Sequence, residues 1–255
     1  MATESTNDCL STVLSSCKIL QSKHLNVEDK EKNMSKNQNT QTRITTQDFL
    51  NFSWSQYLVL EADLMNVMRY ITFEKSNMKT YSVEFIKQYQ AICSEVDVQC
   101  KQYCSILEDG CKCEDMFDCA SIILKHKPEI KNAVVTCKNL EFRPWEKWTT
   151  DVENPRDKES GLNKAPYWWT MYNKIKHSRL DKDKKGIFYY QKANLENVLN
   201  ALSGLLVICL HCYKELSIIE NDIVHVPMEK SKLLAYKGWE SETHVLGDNV
   251  VITYE

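Results

Sequence analysis

The sequence predicts an all-α protein, an up-and-down helical bundle of four to five main helices with a small C-terminal β appendage. Three observations predict it. Six glycines and five prolines in 255 residues are few, which argues against loop-rich and all-β architectures. Apolar residues recur at helical spacing over several long stretches. Beyond Pro227 that spacing gives way to short β-like runs. With 43% hydrophobic and 26% charged residues, the chain can bury one sizeable core and still carry an appendage.

Residues 1–47 form an N-terminal segment. Leu10, Val13, Leu14, Cys17 and Leu20 mark one amphipathic helix within 1–26, and 27–47 is a linker too poor in apolar residues to repay the entropy of ordering. The bundle occupies 48–220. Tyr57, Leu60, Leu64, Val67 and Ile71 predict a helix over 54–73, broken at 76–80. A second spans 82–107, with Ile92, Val96, Cys100, Tyr103 and Leu107 on its buried side. Asp109-Gly110 stops it, and a third helix covers 114–126, closed by Pro128. The stretch 138–165 contains Pro144, Trp145, Trp148, Pro155 and Gly161. A connection that long and irregular is expected to cover something. Pro166 suits the first turn of a helix running to Arg179. A charged turn follows at 181–186, then a long helix over 194–216 whose middle is apolar nearly all round, marking it as the central helix. In the tail, 221–255, β-like runs at 232–236 and 250–254 are separated by a turn signal at Gly247-Asp248-Asn249.

Chemistry concentrates in 166–179, where Trp168, Trp169, Tyr172, Asn173, Lys176, His177 and Arg179 share about four helical turns. Trp169, Asn173 and His177 line one strip of that helix, while Trp168, Tyr172, Ile175 and Arg179 line a second. The helix N-terminus favours anions such as phosphate. On an earlier helix, Glu95, Asp97 and Lys101 are positioned to orient the motif, although Asp97 and Lys101 also read as an ordinary i, i+4 surface pair.

The stretch from Tyr172 to His177 resembles the signature of the HEPN superfamily, helical and mostly RNA-directed proteins whose motif reads arginine, a polar residue, three variable residues and histidine. Asn173 and His177 match it, and Tyr172 stands at the arginine position. The Trp168-Trp169 pair, Tyr172-Asn173 and Lys176-His177-x-Arg179, together with Glu95-x-Asp97-x-x-x-Lys101, are similar to an uncharacterised bacterial helical family over roughly residues 50–215. The resemblance implies RNA or nucleotide binding, with phage defence or a toxin–antitoxin pair as its setting. It also implies a metal-independent ribonuclease, assembled across a homodimer, in which His177 supplies acid–base chemistry and Lys176 or Arg179 replaces the missing cation. Trp168 and Trp169 are available for base stacking.

Two other readings stay open. His177 and Asn173 pack within the bundle and the lysines form a solvated face, or the Trp-rich segments dock a protein partner. A net charge of −3 excludes a protein that coats nucleic acid by charge alone, so affinity must come from a local site. Eleven cysteines without a secretory signal at the start of the chain predict free thiols in the cytoplasm. The longest strongly apolar run, 201–210, is too short to span a bilayer, and no membrane association is expected. Cys104, Cys111, Cys113, Cys119 and His126 form the one dense ligand-like cluster, but it lacks a Cys-x-x-Cys pair, so neither metal nor cofactor is expected. No phosphate-binding glycine loop or serine elbow occurs.

Overall fold

In a computed structural model, residues 44–150, 165–220, 226–239, 241–246 and 249–254 are described. The N-terminal helix expected within 1–26, residues 151–164 of the long connection and the Gly247-Asp248 turn lie outside them. Thr45 opens the bundle: its hydroxyl accepts from the Asp48 N–H at 3.1 Å and the Asp48 carboxylate accepts from the Thr45 N–H at 3.0 Å. This reciprocal cap starts α1 (Thr46–Phe49), which passes through a π-helical turn (Leu50–Trp54) into α2 (Ser55–Val67). The rod therefore begins earlier and ends earlier than apolar spacing alone predicts. The remaining helices are α3 (Val83–Leu107), α4 (Met116–His126), α5 (Tyr167–Ser178) and α6 (Leu195–Ile219).

The two longest helices pack side by side and start at the same end. Ser82 caps α3 by accepting from the Phe85 N–H, and Asn194 caps α6 by accepting from the Asn197 N–H. The residues leading into them are cross-bonded, the Leu195 and Glu196 N–H groups donating to the carbonyls of Thr80 and Met78 at 3.0 Å each. Near the other end the Tyr103 and His211 rings lie 6.5 Å apart, so α3 and α6 run in the same direction. Helix α2 runs against α3. Gln88 donates to the Asp63 carbonyl near one end of the pair, and Gln99 donates to the Ser53 hydroxyl near the other.

Helix α6 is buried nearly all round. It is long and apolar enough to cross a membrane by length and composition, but 78% of its most apolar window is buried inside the fold. Gly204 sits in its middle because nothing larger fits: a Cβ there would lie 3.0 Å from Cζ2 of Trp168 and 3.2 Å from Cζ2 of Trp145. The Trp145 indole donates to the Gly204 carbonyl at 3.2 Å and the Trp168 indole to the Pro144 carbonyl at 2.8 Å. The long connection thus does cover something, the junction of α5 with the central helix.

The start of that connection and the residues just before it also supply β structure that apolar spacing did not reveal. Strands β1 (Val135–Cys137) and β2 (Leu140–Phe142) form a hairpin, and β3 (Ala235–Tyr236) from the tail adds to β1, giving an antiparallel sheet of order β2-β1-β3. β4 (Ser241–Leu246) and β5 (Asn249–Tyr254) form a separate hairpin. The tail is held to the bundle by the buried carboxylate of Glu61. It accepts from the Tyr57 hydroxyl at 2.9 Å, the Ser231 hydroxyl, and the N–H groups of Lys232 and Leu233 at 2.9 and 3.2 Å. A buried carboxylate with this many donors is compensated for the water it loses.

His211 closes the same seam. It packs 4.6 Å from Trp239, and its Nε2 lies 3.2 Å from the Tyr236 hydroxyl. Burial, helped by Lys214 and Lys127, holds its pKa down to about 3, against 6.5 for the free imidazole. The folded-state pKa is the lower one, so the unfolded chain takes up the proton first as pH falls. Stability is expected to be undiminished by this group above about pH 6.5 and to fall as the pH drops toward 3, by a few kcal/mol over the window. Urea denaturation across that range measures it, with His211→Gln expected to show a visibly flatter pH dependence.

Candidate nucleic-acid interface

The motif helix α5 begins after Pro166 and turns two kinds of surface outward and inward. Trp168, Trp169, Tyr172 and Ile175 are buried. The Trp168 and Trp169 rings meet edge to face at 6.0 Å, Trp145 meets Trp168 in the same way at 5.4 Å, and the Tyr89 hydroxyl donates to the Trp168 carbonyl. Base stacking needs an exposed ring face. Trp168 and Trp169 have none to offer, and the sequence reading of them as stacking residues is corrected: they are the wall against which the helix is built. Trp145 and Trp148 are buried as well, at 0% and 1% exposure, so the described tryptophans of these segments do not form a docking patch.

Tyr172, at the arginine position of the HEPN motif, packs 6.2 Å from Tyr89 and 5.2 Å from Trp169. Burial, then Cys93 and Asp97, push its phenol above the ordinary range, so it holds its proton and carries no charge at neutral pH. His177 is exposed, about 140° around the helix from Tyr172. The two positions therefore do not converge within one chain. Asn173 is half-buried, and Lys176 and Arg179 are exposed.

The earlier polar trio divides. Asp97 pairs with Lys101 at 2.6 Å and lies on the side of α3 that approaches Tyr172. Glu95 accepts from Gln99 at 2.7 Å and lines a groove with Phe52, Gln56 and Val98, against α2 and the π-helical turn. It does not orient the motif.

Charge is distributed differently from the expected anion site at the start of α5. The cleft there is lined by Lys79, Arg143 and Lys147, but Lys79 pairs with Glu196 and Arg143 with Glu141 at 3.0 Å. Lys147 has no ion-pair partner among the described residues, but the larger group of uncompensated cations is at the opposite end. Between residues 174 and 185 the chain carries Lys174, Lys176, Arg179, Lys182, Lys184 and Lys185 against only Asp181 and Asp183. All six are exposed, and none of the six forms an ion pair with a described residue.

Asp183 is instead the organiser of the turn that follows α5. Its carboxylate accepts from the N–H groups of Lys185 and Ile187 at 2.9 and 3.0 Å and pairs with Lys192 at 2.8 Å. Lys192 and these backbone donors hold its pKa down to about 2. The turn presents Phe188, Tyr189 and Tyr190, all half-buried. Phe188 and Tyr190 stack at 5.4 Å, the Lys182 ammonium sits 4.6 Å over Phe188, and Lys174 sits 5.7 Å over Tyr189. Sequence reasoning passed over these three aromatics. The Phe-Tyr-Tyr run directly after a lysine-rich turn was the available signal.

The cysteine cluster also rearranges. Cys104, Cys113 and Cys119 bring their sulfur atoms within 4.8 Å of one another, and Cys111 Sγ lies 3.9 Å from Cys113 Sγ. His126 turns away to Glu108 at 2.8 Å. No family model, curated protein or solved structure matches this chain.

Asp183→Asn is expected to release Lys192 and loosen the turn while leaving the bundle intact. Amide exchange at Ile187 and Tyr189 should rise by about tenfold or more, with the helical circular dichroism of the bundle unchanged.

Proposed function

We propose that this chain is a HEPN-like RNA-binding protein that grips the sugar–phosphate backbone with the basic end of α5 and the turn after it. The bacterial defence or toxin–antitoxin setting that the resemblance implies is adopted with it. One observation carries the reading: six exposed cations without carboxylate partners surround an exposed His177 in a chain of net charge −3. Cations at a helix C-terminus also complement its dipole, but that accounts for one or two of them and not for Lys182, Lys184 and Lys185 beyond the helix. Phosphate contact releases counterions and gives affinity without base recognition, and Phe188, Tyr189 and Tyr190 supply rings beside the cations for unpaired bases.

The ribonuclease reading rests on His177 alone. It is exposed and has no hydrogen-bond or ion-pair partner among the described residues, so its ring is accessible to a ligand. The position opposite it in the motif is the uncharged, buried Tyr172, and the cation for a developing phosphorane would have to come from Lys176, Arg179 or a second copy in a homodimer. Binding without cleavage is the better-supported activity.

Fluorescence anisotropy with a labelled single-stranded RNA tests this. Binding is expected to weaken steeply with salt. Charge reversal at Lys182, Lys184 and Lys185 together should lower affinity by about tenfold or more and reduce the salt slope by roughly one for each lost phosphate contact. His177→Ala should bind within a few-fold of wild type, and RNA incubated with either protein in a chelator should stay intact. An affinity indifferent to the triple reversal would overturn the proposal, and cleavage lost only in His177→Ala would replace it with the ribonuclease.

A further inference from the structure

We propose that Cys104, Cys113 and Cys119, with Cys111 as the fourth ligand, form a tetrahedral thiolate site for a zinc-type divalent cation, stapling the end of α3 to the start of α4. The site is independent of the RNA-binding reading.

The three elements converge without help from a conventional spacing. Cys104 lies on the last full turn of α3 and Cys119 on the first turn of α4, both fully buried. Cys111 and Cys113 lie on the loop between them, half-exposed. Gly110 takes a positive φ of 69°, and the Cys111 N–H donates to the Glu108 carbonyl at 3.3 Å, folding the loop back over the helix end. At the other end Asp115 and Asp118 cap α4 reciprocally, which fixes where Cys119 emerges. The loop is therefore held at both ends, with two sulfurs carried between them.

Distances fit the ion. A tetrahedral site with Zn–S near 2.3 Å separates its sulfurs by about 3.8 Å. Cys104, Cys113 and Cys119 carry theirs within 4.8 Å of one another, and Cys111 lies 3.9 Å from Cys113. Closing the trio needs a contraction of about 1 Å, and Cys111 completes the set by turning on its loop. An all-sulfur tetrahedral set selects zinc over the harder cations.

The same geometry disfavours a redox or nucleophilic role. Reactive cysteines have thiolates stabilised by a neighbouring cation or helix N-terminus. Here Cys104 and Cys119 are fully buried and the sulfurs crowd one another with no helix N-terminus or free cation aimed at them among the described residues. A divalent cation makes thiolates favourable in such a place, because a coordinated thiol gives up its proton. Uptake of one ion would release protons from the four thiols and leave the sulfur oxidation state unchanged.

The test uses the full chain, reduced and freed of metal, titrated with Co²⁺ and then Zn²⁺. One equivalent of Co²⁺ is expected to give sulfur-to-metal charge-transfer and tetrahedral ligand-field bands that Zn²⁺ abolishes, and one Zn²⁺ should protect four thiols from alkylation. Cys113→Ser, on the loop and tolerated by the fold, should weaken uptake at least as much as the ~10–100-fold that follows loss of a mere outer-shell partner, and Cys111→Ser likewise. His126→Ala should leave it unchanged. Circular dichroism verifies that each variant is folded. Octahedral Co²⁺ spectra, uptake indifferent to Cys113→Ser, or a disulfide within the cluster in place of metal uptake would overturn the site. Retention of full affinity in Cys111→Ser would remove Cys111 as a ligand.

Discussion

The close approach of Trp145 and Trp168 to Gly204 is the contact on which the rest depends. Two indoles press on the one position of α6 that has no side chain, and each spends its N–H on a backbone carbonyl that the irregular connection or the helix would otherwise leave buried. Protein interiors pack at crystal-like density, so a methyl group at that point has nowhere to go without moving a tryptophan. Because Trp168 is in the first turn of α5, fixing it to α6 fixes the rotation of the motif helix. Trp169, Tyr172 and Ile175 are then directed inward, and Lys176, His177 and Arg179 are left facing water. The tryptophans thus shape the candidate interface by withdrawing from it.

A second consequence concerns the helix ends. Of the cations near the N-terminus of α5, Lys79 and Arg143 are tied up with Glu196 and Glu141 and Lys147 is not, whereas none of the six near its C-terminus and beyond forms an ion pair with a described residue. Ion pairs on the surface contribute little to stability, but they decide which charges remain available to a ligand. By that criterion most of the available cations lie at the end of the motif helix that its dipole leaves negative, and the six of them more than offset it. Asp183, one of two carboxylates embedded among them, is consumed by Lys192 and two backbone N–H groups and shapes the turn that carries the lysines.

Helical periodicity made the architecture legible. The apolar positions of 82–107 and 194–216 predict α3 and α6 closely, since a helix buried on one side or on all sides leaves its period in the residues. The Thr45 and Asp48 cap was equally present and was passed over, because it precedes the apolar run instead of belonging to it. The sheet was less legible for a physical reason: β1 and β2 are three residues each, too short for an alternation to stand out, and β3 adds to them from about a hundred residues away. In the candidate site, the strip of Trp168, Tyr172 and Ile175 packs as the helix period puts it, and His177 on the other strip faces water. Trp169 and Arg179 depart from it, Trp169 packing and Arg179 standing exposed, because an aromatic residue satisfies a core and a stacking surface equally well and only tertiary packing decides between them. The cysteine cluster was visible as a dense run, but not which members meet: Cys104, Cys113 and Cys119 converge through a loop that no local spacing rule describes, and His126 turns away.

Ultraviolet cross-linking of the protein to a uridine-rich single-stranded RNA, followed by mass-spectrometric mapping of the adducts, tests most directly whether the buried tryptophans present a basic face beyond them. The account predicts adducts within residues 174–192, centred on Phe188, Tyr189 and Tyr190 and their neighbouring lysines. Adducts concentrated instead on Tyr167, Lys147 or Arg143, in the cleft at the start of α5, would contradict it.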